Sequence, residues 1–423
     1  MSKILGIIAE YNPFHNGHLY HLETSKKLTS CDFSVAIISG NFTQRGSTSI
    51  IDKWSKTKMA LQNGIDLVIE LPVLYSISSA ENFADGAVKI FNSLGIVDYL
   101  SFGSETSDIK ILENIANILY NEPNKYKNLL SDELNKGLSF PKARENALLG
   151  YIKNDKLDFE EYKKALSSPN NILGIEYLKA LKKYNSSIQP VCISRFATNY
   201  NSTDLSKSNN STSNCNMENC NLQNFASATA IRKLVKNKDF NTIKSVIPEK
   251  SYSILINCLT NGNIVPDLNC FEKEIIYTLR KMNIEEIANL PDVSEGLEFS
   301  IKKAANSCNT LNGFLDIVKS KRYTITRLQR ILLYALLNIS KEDMQLSKKI
   351  EKPYIRILGF NDNGKKIVSE LALITSVKKF IDNNSDIDLQ NMFNKDTFAT
   401  DVYSLAFEKT SFANLDFKNI VIN

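Results

Sequence analysis

Short apolar runs alternate with amphipathic stretches through the first hundred residues. The runs Ile4–Tyr11, Phe33–Gly40, Asp66–Pro72 and Val97–Gly103 are β-branched and closed by Gly, Pro or Asn, the pattern of buried strands. Between them, Asp52–Asn63 and Ser78–Leu94 have the length and periodicity of crossover helices. Strand–helix–strand repetition predicts a parallel sheet covered on both faces. A further apolar strand, Ile188–Ile193, follows a helical excursion from about 108 to 184. In such a sheet a ligand sits beyond the carboxyl ends of the strands, here Glu10–His18, Gly40–Gly46 and Gly103–Glu105.

Residues 197–224 are dominated by Asn, Ser and Thr and bury too little apolar surface to order themselves, which predicts a mobile insertion. Order resumes at Phe225, where Ala-Ser-Ala-Thr-Ala-Ile-Arg reads as an N-cap and a helix. The pattern is helical from 246 to about 345. After Pro353 a short strand is expected at Tyr354–Gly359, a turn at Asn361–Gly364 and a helix at Lys365–Leu371. The expected organisation is therefore a first domain at 1–245, a helical domain at 246–345 and a small C-terminal α/β element at 346–423.

A length of 423 residues supports such a multi-domain arrangement with a sizeable core. No apolar run approaches a membrane span, and Met1 leads directly into Ile4–Ala9 with no basic n-region or cleavage site. Seven cysteines, odd in number and scattered, suit reduced thiols and a cytoplasmic location; Cys215 and Cys220 have no partner pair for a zinc site. The net charge of +5 is mild, but residues 301–350 hold ten basic and three acidic side chains. Such a block either neutralises phosphates or forms a solvated helix face. Nothing in the composition sets an oligomeric state.

All three histidines, His15, His18 and His21, fall within seven residues. Random placement would do this roughly once in a thousand, and the placement after the first strand adds structural context. A helix N-terminus presents free N–H groups and a positive dipole end to a phosphate. Side chains three apart, as in His15 and His18, share a face of that first turn. Gly17 leaves room against the backbone and Pro13 fixes the loop. The arrangement suits displacement at the α-phosphate of a nucleotide, with the imidazoles donating to developing charge. His21, one turn on, is expected on the helix surface. No Walker A motif, Gly-x-Gly-x-x-Gly motif or Ser/His/Asp triad is present.

His-x-Gly-His after the first strand, paired with a later Ser-x-Thr-x-Ile-Arg helix start at Ser227, Thr229 and Arg232, is the combination seen in nucleotidyltransferases. Those hydroxyls and Arg232 would hold the γ-phosphate. The opening Ile4-Leu-Gly-Ile-Ile-Ala-Glu-Tyr-Asn-Pro-Phe-His-Asn-Gly-His18 narrows the resemblance, together with Ser39-Gly-Asn-Phe-Thr-Gln-Arg-Gly46, Phe102-Gly-Ser-Glu105 and Ser168-Pro-Asn-Asn-Ile-Leu-Gly-Ile-Glu-Tyr177. Further blocks lie at Asp292-Val-Ser-Glu-Gly-Leu-Glu298, Arg322-Tyr-Thr-Ile-Thr-Arg327 and Tyr354-Ile-Arg-Ile-Leu-Gly-Phe360. Over nearly its whole length the chain resembles the tRNA(Met) cytidine acetate ligase family.

The resemblance implies a Rossmann-like nucleotidyltransferase domain followed by the helical and C-terminal parts. It also implies a two-step reaction: acetate attacks the α-phosphate of ATP, and the N4 amine of the wobble cytidine of elongator tRNA(Met) then takes the acetyl group. By motif position, ATP would be held by Ile7, Ile8, Ala9, Glu10, Tyr11, Asn12, Pro13, Phe14, His15, Asn16, Gly17, His18, Leu19 and Tyr20, with Gly103, Asn170 and Arg195. His15 and His18 would be catalytic. Lys319, Lys321, Arg322, Arg327 and Arg330 would contact tRNA, and Mg²⁺ is expected with the ATP phosphates. No covalent nucleophile is needed, since adenylation itself supplies the leaving group. Two alternatives are an adenylyltransferase acting on a phosphorylated small molecule and a non-catalytic tRNA-binding protein.

Overall fold

The computed structural model describes residues 2–423 apart from 107, 154–158, 196–224, 321, 369–379, 382–385, 410–411, 420 and 423, and the side chains of 421 and 422. The expected insertion at 197–224 lies outside the described residues. The strands are β1 (Ile4–Ala9), β2 (Phe33–Ser39), β3 (Phe42–Thr43), β4 (Ser47–Thr48), β5 (Leu67–Leu71), β6 (Tyr99–Ser104), β7 (Gln189–Ser194), β8 (Ile357–Phe360) and β9 (Val421–Ile422). One sheet has the order β7-β6-β1-β2-β5-β8-β9, and β3 pairs with β4 in a small hairpin. Strands β7 to β5 run parallel, with Ile4 opposite Phe33 and Ala9 opposite Ile38.

Alternation along these strands fills two cores. Val35, Ile37, Leu67 and Ile69 face one side, while Leu5, Ile7, Ala36, Ile38 and Val68 face the other. A parallel sheet covered by helices requires apolar residues on both faces. The helices begin where the sequence supplies caps. Asp52 accepts from the backbone N–H groups of Trp54 and Ser55 at the head of Lys53–Gln62. Ser79 caps Ala80–Leu94, which ends on Gly95 in the left-handed region. Each side-chain cap is worth about 1 kcal/mol.

The chain leaves β1 in one direction, to β2 and β5, and returns to build β6 and β7 on the other flank. That reversal opens a crevice at the carboxyl ends of β1 and β6. The described residues of 108–184 form five helices, the last of them Pro169–Lys183, which packs against Ala80–Leu94.

The strand expected at Tyr354–Gly359 lies at Ile357–Phe360, and the helix after it starts at Asp362 rather than Lys365, with the Asn361 side chain accepting from the Gly364 N–H. This strand joins the main sheet: β8 runs antiparallel to β5, and β9 extends the edge. A buried ionic cluster fastens the same segment down. Lys53 bridges Glu70 at 2.8 Å and Asp416 at 2.7 Å, and Arg356 bridges the same two carboxylates. All four are at most 5% exposed, so removing one partner would strand a buried charge at a cost of about 3–5 kcal/mol.

Candidate active site

Beyond β1 the backbone turns sharply through Tyr11, whose φ is 45°, and reaches His15, the N-cap of the helix Asn16–Thr29. The two motif histidines build the helix start themselves. His15 Nδ1 accepts from the Gly17 N–H at 3.0 Å, and His18 Nδ1 accepts from the His15 N–H at 3.2 Å. Their rings stack with centroids 3.7 Å apart, and Tyr11 and Phe14 flank His18.

This reciprocal cap fixes the tautomer. A neutral imidazole whose Nδ1 accepts carries its proton on Nε2. Burial, followed by the charges of Arg195 and Arg232, pushes His15 down to about 3. Burial and the neighbouring His15 and Arg195 hold His18 well below its ordinary value. At neutral pH the helix start therefore carries two Nε2–H donors, while the Gly17, His18 and Leu19 N–H groups are taken up by His15 itself. His21 is not a surface residue: its Nε2 lies 3.0 Å from Ser101 Oγ on β6, and Ser101 in turn meets Ser25 Oγ at 2.7 Å.

The other residues implied by the family resemblance divide by what they can offer. The side chains of Ile7, Tyr11 and Phe14 are core, at most 2% exposed, so only their backbone can meet a nucleotide. Asn12 spends its amide on Thr48 O and the Ile50 N–H, holding the turn to the β3–β4 hairpin. Glu10 accepts from the Gln44 N–H at 2.8 Å. Asn16 donates to Ser245 O, Leu19 packs on the second core, and Tyr20 meets Phe225 edge-on.

Across the crevice, the Arg195 side chain lies directly over Gly103: a Cβ there would sit 3.1 Å from Arg195 Cγ. Arg195 is close enough to influence all three histidines. Asn170, in the first turn of Pro169–Lys183, is held by Glu105. Ser227 caps the helix Ala228–Lys236, accepting from the Ala230 N–H, while Arg232 donates to Asn12 O at 3.0 Å and to Thr229 Oγ1 at 3.1 Å. His15, His18, Gly103, Arg195 and Arg232 thus converge at the sheet's switch point.

A family model described as HIGH Nucleotidyl Transferase matches residues 2–417. The chain belongs to this family. It is 47% identical to the tRNA(Met) cytidine acetate ligase of Thermoanaerobacter pseudethanolicus, over 98% of each chain. It is 41% identical to the tRNA(Met) cytidine acetate ligase of Clostridium novyi, again over 98% of each. Among solved structures it is similar to Thermotoga maritima TmcAL bound with alpha-thio ATP, with a TM-score of 0.89 and 34% identity over 99% of both chains.

The basic segment is more committed than its composition implied. Arg327 donates through Nε and Nη2 to Asp292 O and through Nη2 to Ser294 Oγ, and stacks on Tyr323. Arg330 makes two bonds to the Asp292 carboxylate and is 12% exposed. Together they hold a turn in which Asp292, Glu295 and Gly296 all have positive φ. Arg322 pairs with Glu295 at 2.6 Å, Lys319 is exposed, and Lys321 lies outside the described residues.

Sequence reasoning missed two residues at the site. Asn171 accepts from Ser104 Oγ and the Glu105 N–H, locking the end of β6; its place beside Asn170 in the Ser168–Tyr177 block was the available signal. Lys56 had no signal, being one of several lysines on an amphipathic helix. Among the described residues no group of three His, Cys, Asp or Glu side chains converges as a metal site, and no helix is long and apolar enough to cross a membrane.

Proposed function

We propose that this chain is an ATP-dependent tRNA(Met) cytidine acetate ligase. An acetate oxygen attacks the α-phosphorus of ATP, forming acetyl-adenylate as pyrophosphate leaves. The N4 amine of the wobble cytidine of elongator tRNA(Met) then attacks the acetyl carbon; AMP departs, the amine loses a proton, and N4-acetylcytidine results.

The observation that carries the reading is the histidine pair. With both Nδ1 atoms committed to backbone N–H groups, both Nε2–H groups are oriented donors at a helix N-terminus. Charge that builds on the α-phosphate oxygens during displacement meets fixed donors, which need no reorganisation. Arg195 over Gly103 and Arg232 at Asn12 place two cations around the same point. Each displacement step leaves on a phosphate, so positioning and electrostatics suffice. Mg²⁺ fits only as an ion carried by the phosphate oxygens, since the outward histidine nitrogens are protonated donors rather than ligands. Bound there, it would neutralise the departing pyrophosphate.

The test is ATP–pyrophosphate exchange with and without acetate, followed by transfer of labelled acetyl to tRNA(Met). Acetate-dependent exchange followed by labelled tRNA is the expected result. Exchange that requires a phosphorylated small molecule instead, or tRNA binding with no exchange, would overturn the proposal.

A further inference from the structure

Beneath the histidine turn, the sheet ends in a knot of three carbonyls. Lys56 is 0% exposed, and its Nζ donates to Glu10 O at 3.1 Å, Ser39 O at 2.7 Å and Gly40 O at 2.6 Å. We propose that Lys56 is a positioning residue for adenylate formation: its ammonium ties together the loops leaving β1 and β2 and so sets where His15 and His18 stand. This rests on the ligase reading above, and gives that site a residue that never touches the nucleotide.

The geometry argues as follows. The β1–β2 ladder runs out at the pair Ala9–Ile38 and the β2–β5 ladder at Ser39–Leu71, so Ser39 O stands at the last pair and Glu10 O and Gly40 O lie past the strand ends. Glu10 O, Ser39 O and Gly40 O all approach one point, an arrangement of like partial charges that falls apart without a donor at its centre. An ammonium has three N–H groups, and here each has an acceptor. The residue after Glu10 is Tyr11 with φ of 45°, a backbone state unfavourable to a non-glycine residue that persists only where its flanks are held. Asn12, His15 and His18 follow directly. The second loop, Gly40–Gly46, is tied back to the first from above by the Gln44 N–H on Glu10 Oε1. Lys56 thus fixes from below what Glu10 and Gln44 fix from above, and a shift of either loop moves both histidines against the α-phosphate.

The charges facing Lys56 are Glu10 at the end of β1, Glu70 on β5, Asp52 capping its own helix, and Lys53 beside it. Burial outweighs the carboxylates and lowers the ammonium to about 7. Loss of its proton leaves two N–H groups for three carbonyls, and a lone pair against the third. The knot loosens as pH rises through neutrality.

The experiment is acetate-dependent ATP–pyrophosphate exchange by the full chain between pH 6 and 9, for wild type, Lys56→Met and Lys56→Arg. Lys56→Met should lose about 100-fold in kcat, the effect of a small misplacement of reacting groups. Its KM for ATP should move less than about 3-fold, because binding contacts remain. Wild-type kcat should decline on the alkaline side. Lys56→Arg should retain exchange and remove that decline, since a guanidinium keeps its charge and has donors for all three carbonyls. A kcat within about 2-fold of wild type in Lys56→Met would overturn the proposal. So would an alkaline decline that persists unchanged in Lys56→Arg, an outcome that decides the matter even if Lys56→Met fails to fold. Exchange missing in the wild type itself would instead sink the ligase reading, and this proposal with it.

Discussion

The histidine turn and the basic segment both offer N–H donors to phosphate, yet the structure treats them oppositely. At His15 and His18, intramolecular bonds consume Nδ1 and leave the proton on Nε2. At Arg327 and Arg330, intramolecular bonds engage Nε and Nη2 of each guanidinium, on Asp292 and Ser294. A charge counted in a sequence can therefore already be engaged within the fold, as the Arg330–Asp292 pair is. Two neutral rings each keep an Nε2–H outside the cap they build, while two full cations hold a turn with part of their guanidinium groups.

The comparison breaks most simply at His18. His18→Ala removes one oriented donor and half of the reciprocal cap. Acetate-dependent exchange should fall about 10²–10³-fold, the usual effect of deleting one transition-state hydrogen-bond donor. Stability should fall by only about 1 kcal/mol, the worth of a cap. Wild-type turnover in this variant, measured by pyrophosphate exchange, would take the ring out of the chemistry.

At the basic segment the expectation is reversed between neighbours. Arg330→Ala strands the Asp292 carboxylate and should cost about 1.5–3 kcal/mol in urea unfolding, the range for a charged hydrogen bond. Lys319→Ala should leave stability within about 0.5 kcal/mol. It should also reduce the salt slope of tRNA binding by about one. If Arg330→Ala unfolds like wild type while tRNA binding collapses, Arg330 is an RNA contact and the contrast drawn above fails.

How much of this could be read from the chain depends on distance along it. β1, β2, β5, β6 and β7 fall within two residues of their expected ends, because a doubly covered parallel strand is an apolar run that announces itself. The histidine pair was legible for a similar reason: its whole geometry is built within seven residues. His21 was misplaced onto the surface because its partner, Ser101, is 80 residues away. The pairing of β8 with β5, and the Lys53–Glu70–Arg356–Asp416 cluster behind it, join positions hundreds of residues apart. Nothing local to Arg356 or Lys56 distinguishes a buried cation from a solvated one.

Protonation sharpens the contrast further. Burial leads the shifts that lower His15 to about 3 and His21 to about 4, with His18 well below normal, whereas an unfolded imidazole titrates near 6.5. Between about 4 and 6.5 the unfolded chain binds more protons at these sites, so stability rises with pH and is lost on acidification. Asp396 opposes this. Burial first, and then Glu70, lifts its carboxyl to about 7, so the folded state holds its proton and this group favours folding at lower pH. Three imidazoles outweigh one carboxyl, and Tm should fall by a few degrees between pH 7 and 5. Asp396→Asn should steepen that fall, and an unchanged slope would remove Asp396 from the balance.

The smallest expected effect separates a cap from a phosphate contact at Ser227, where one hydroxyl could serve both. Its oxygen accepts from the Ala230 N–H, while its own hydrogen is left to donate. Ser227→Ala should lose about 1 kcal/mol of stability as the cap goes. If the hydroxyl also donates to the γ-phosphate, KM for ATP should rise about 5-fold, the worth of one neutral hydrogen bond. Ser227→Asp distinguishes the two roles, because Asp caps as well as Ser but sets a carboxylate against the phosphate. Melting should return to the wild-type value while KM for ATP rises beyond that of Ser227→Ala. Recovery of both together would mean that Ser227 only begins its helix, leaving Arg232 and the helix N–H groups to meet the nucleotide's far end.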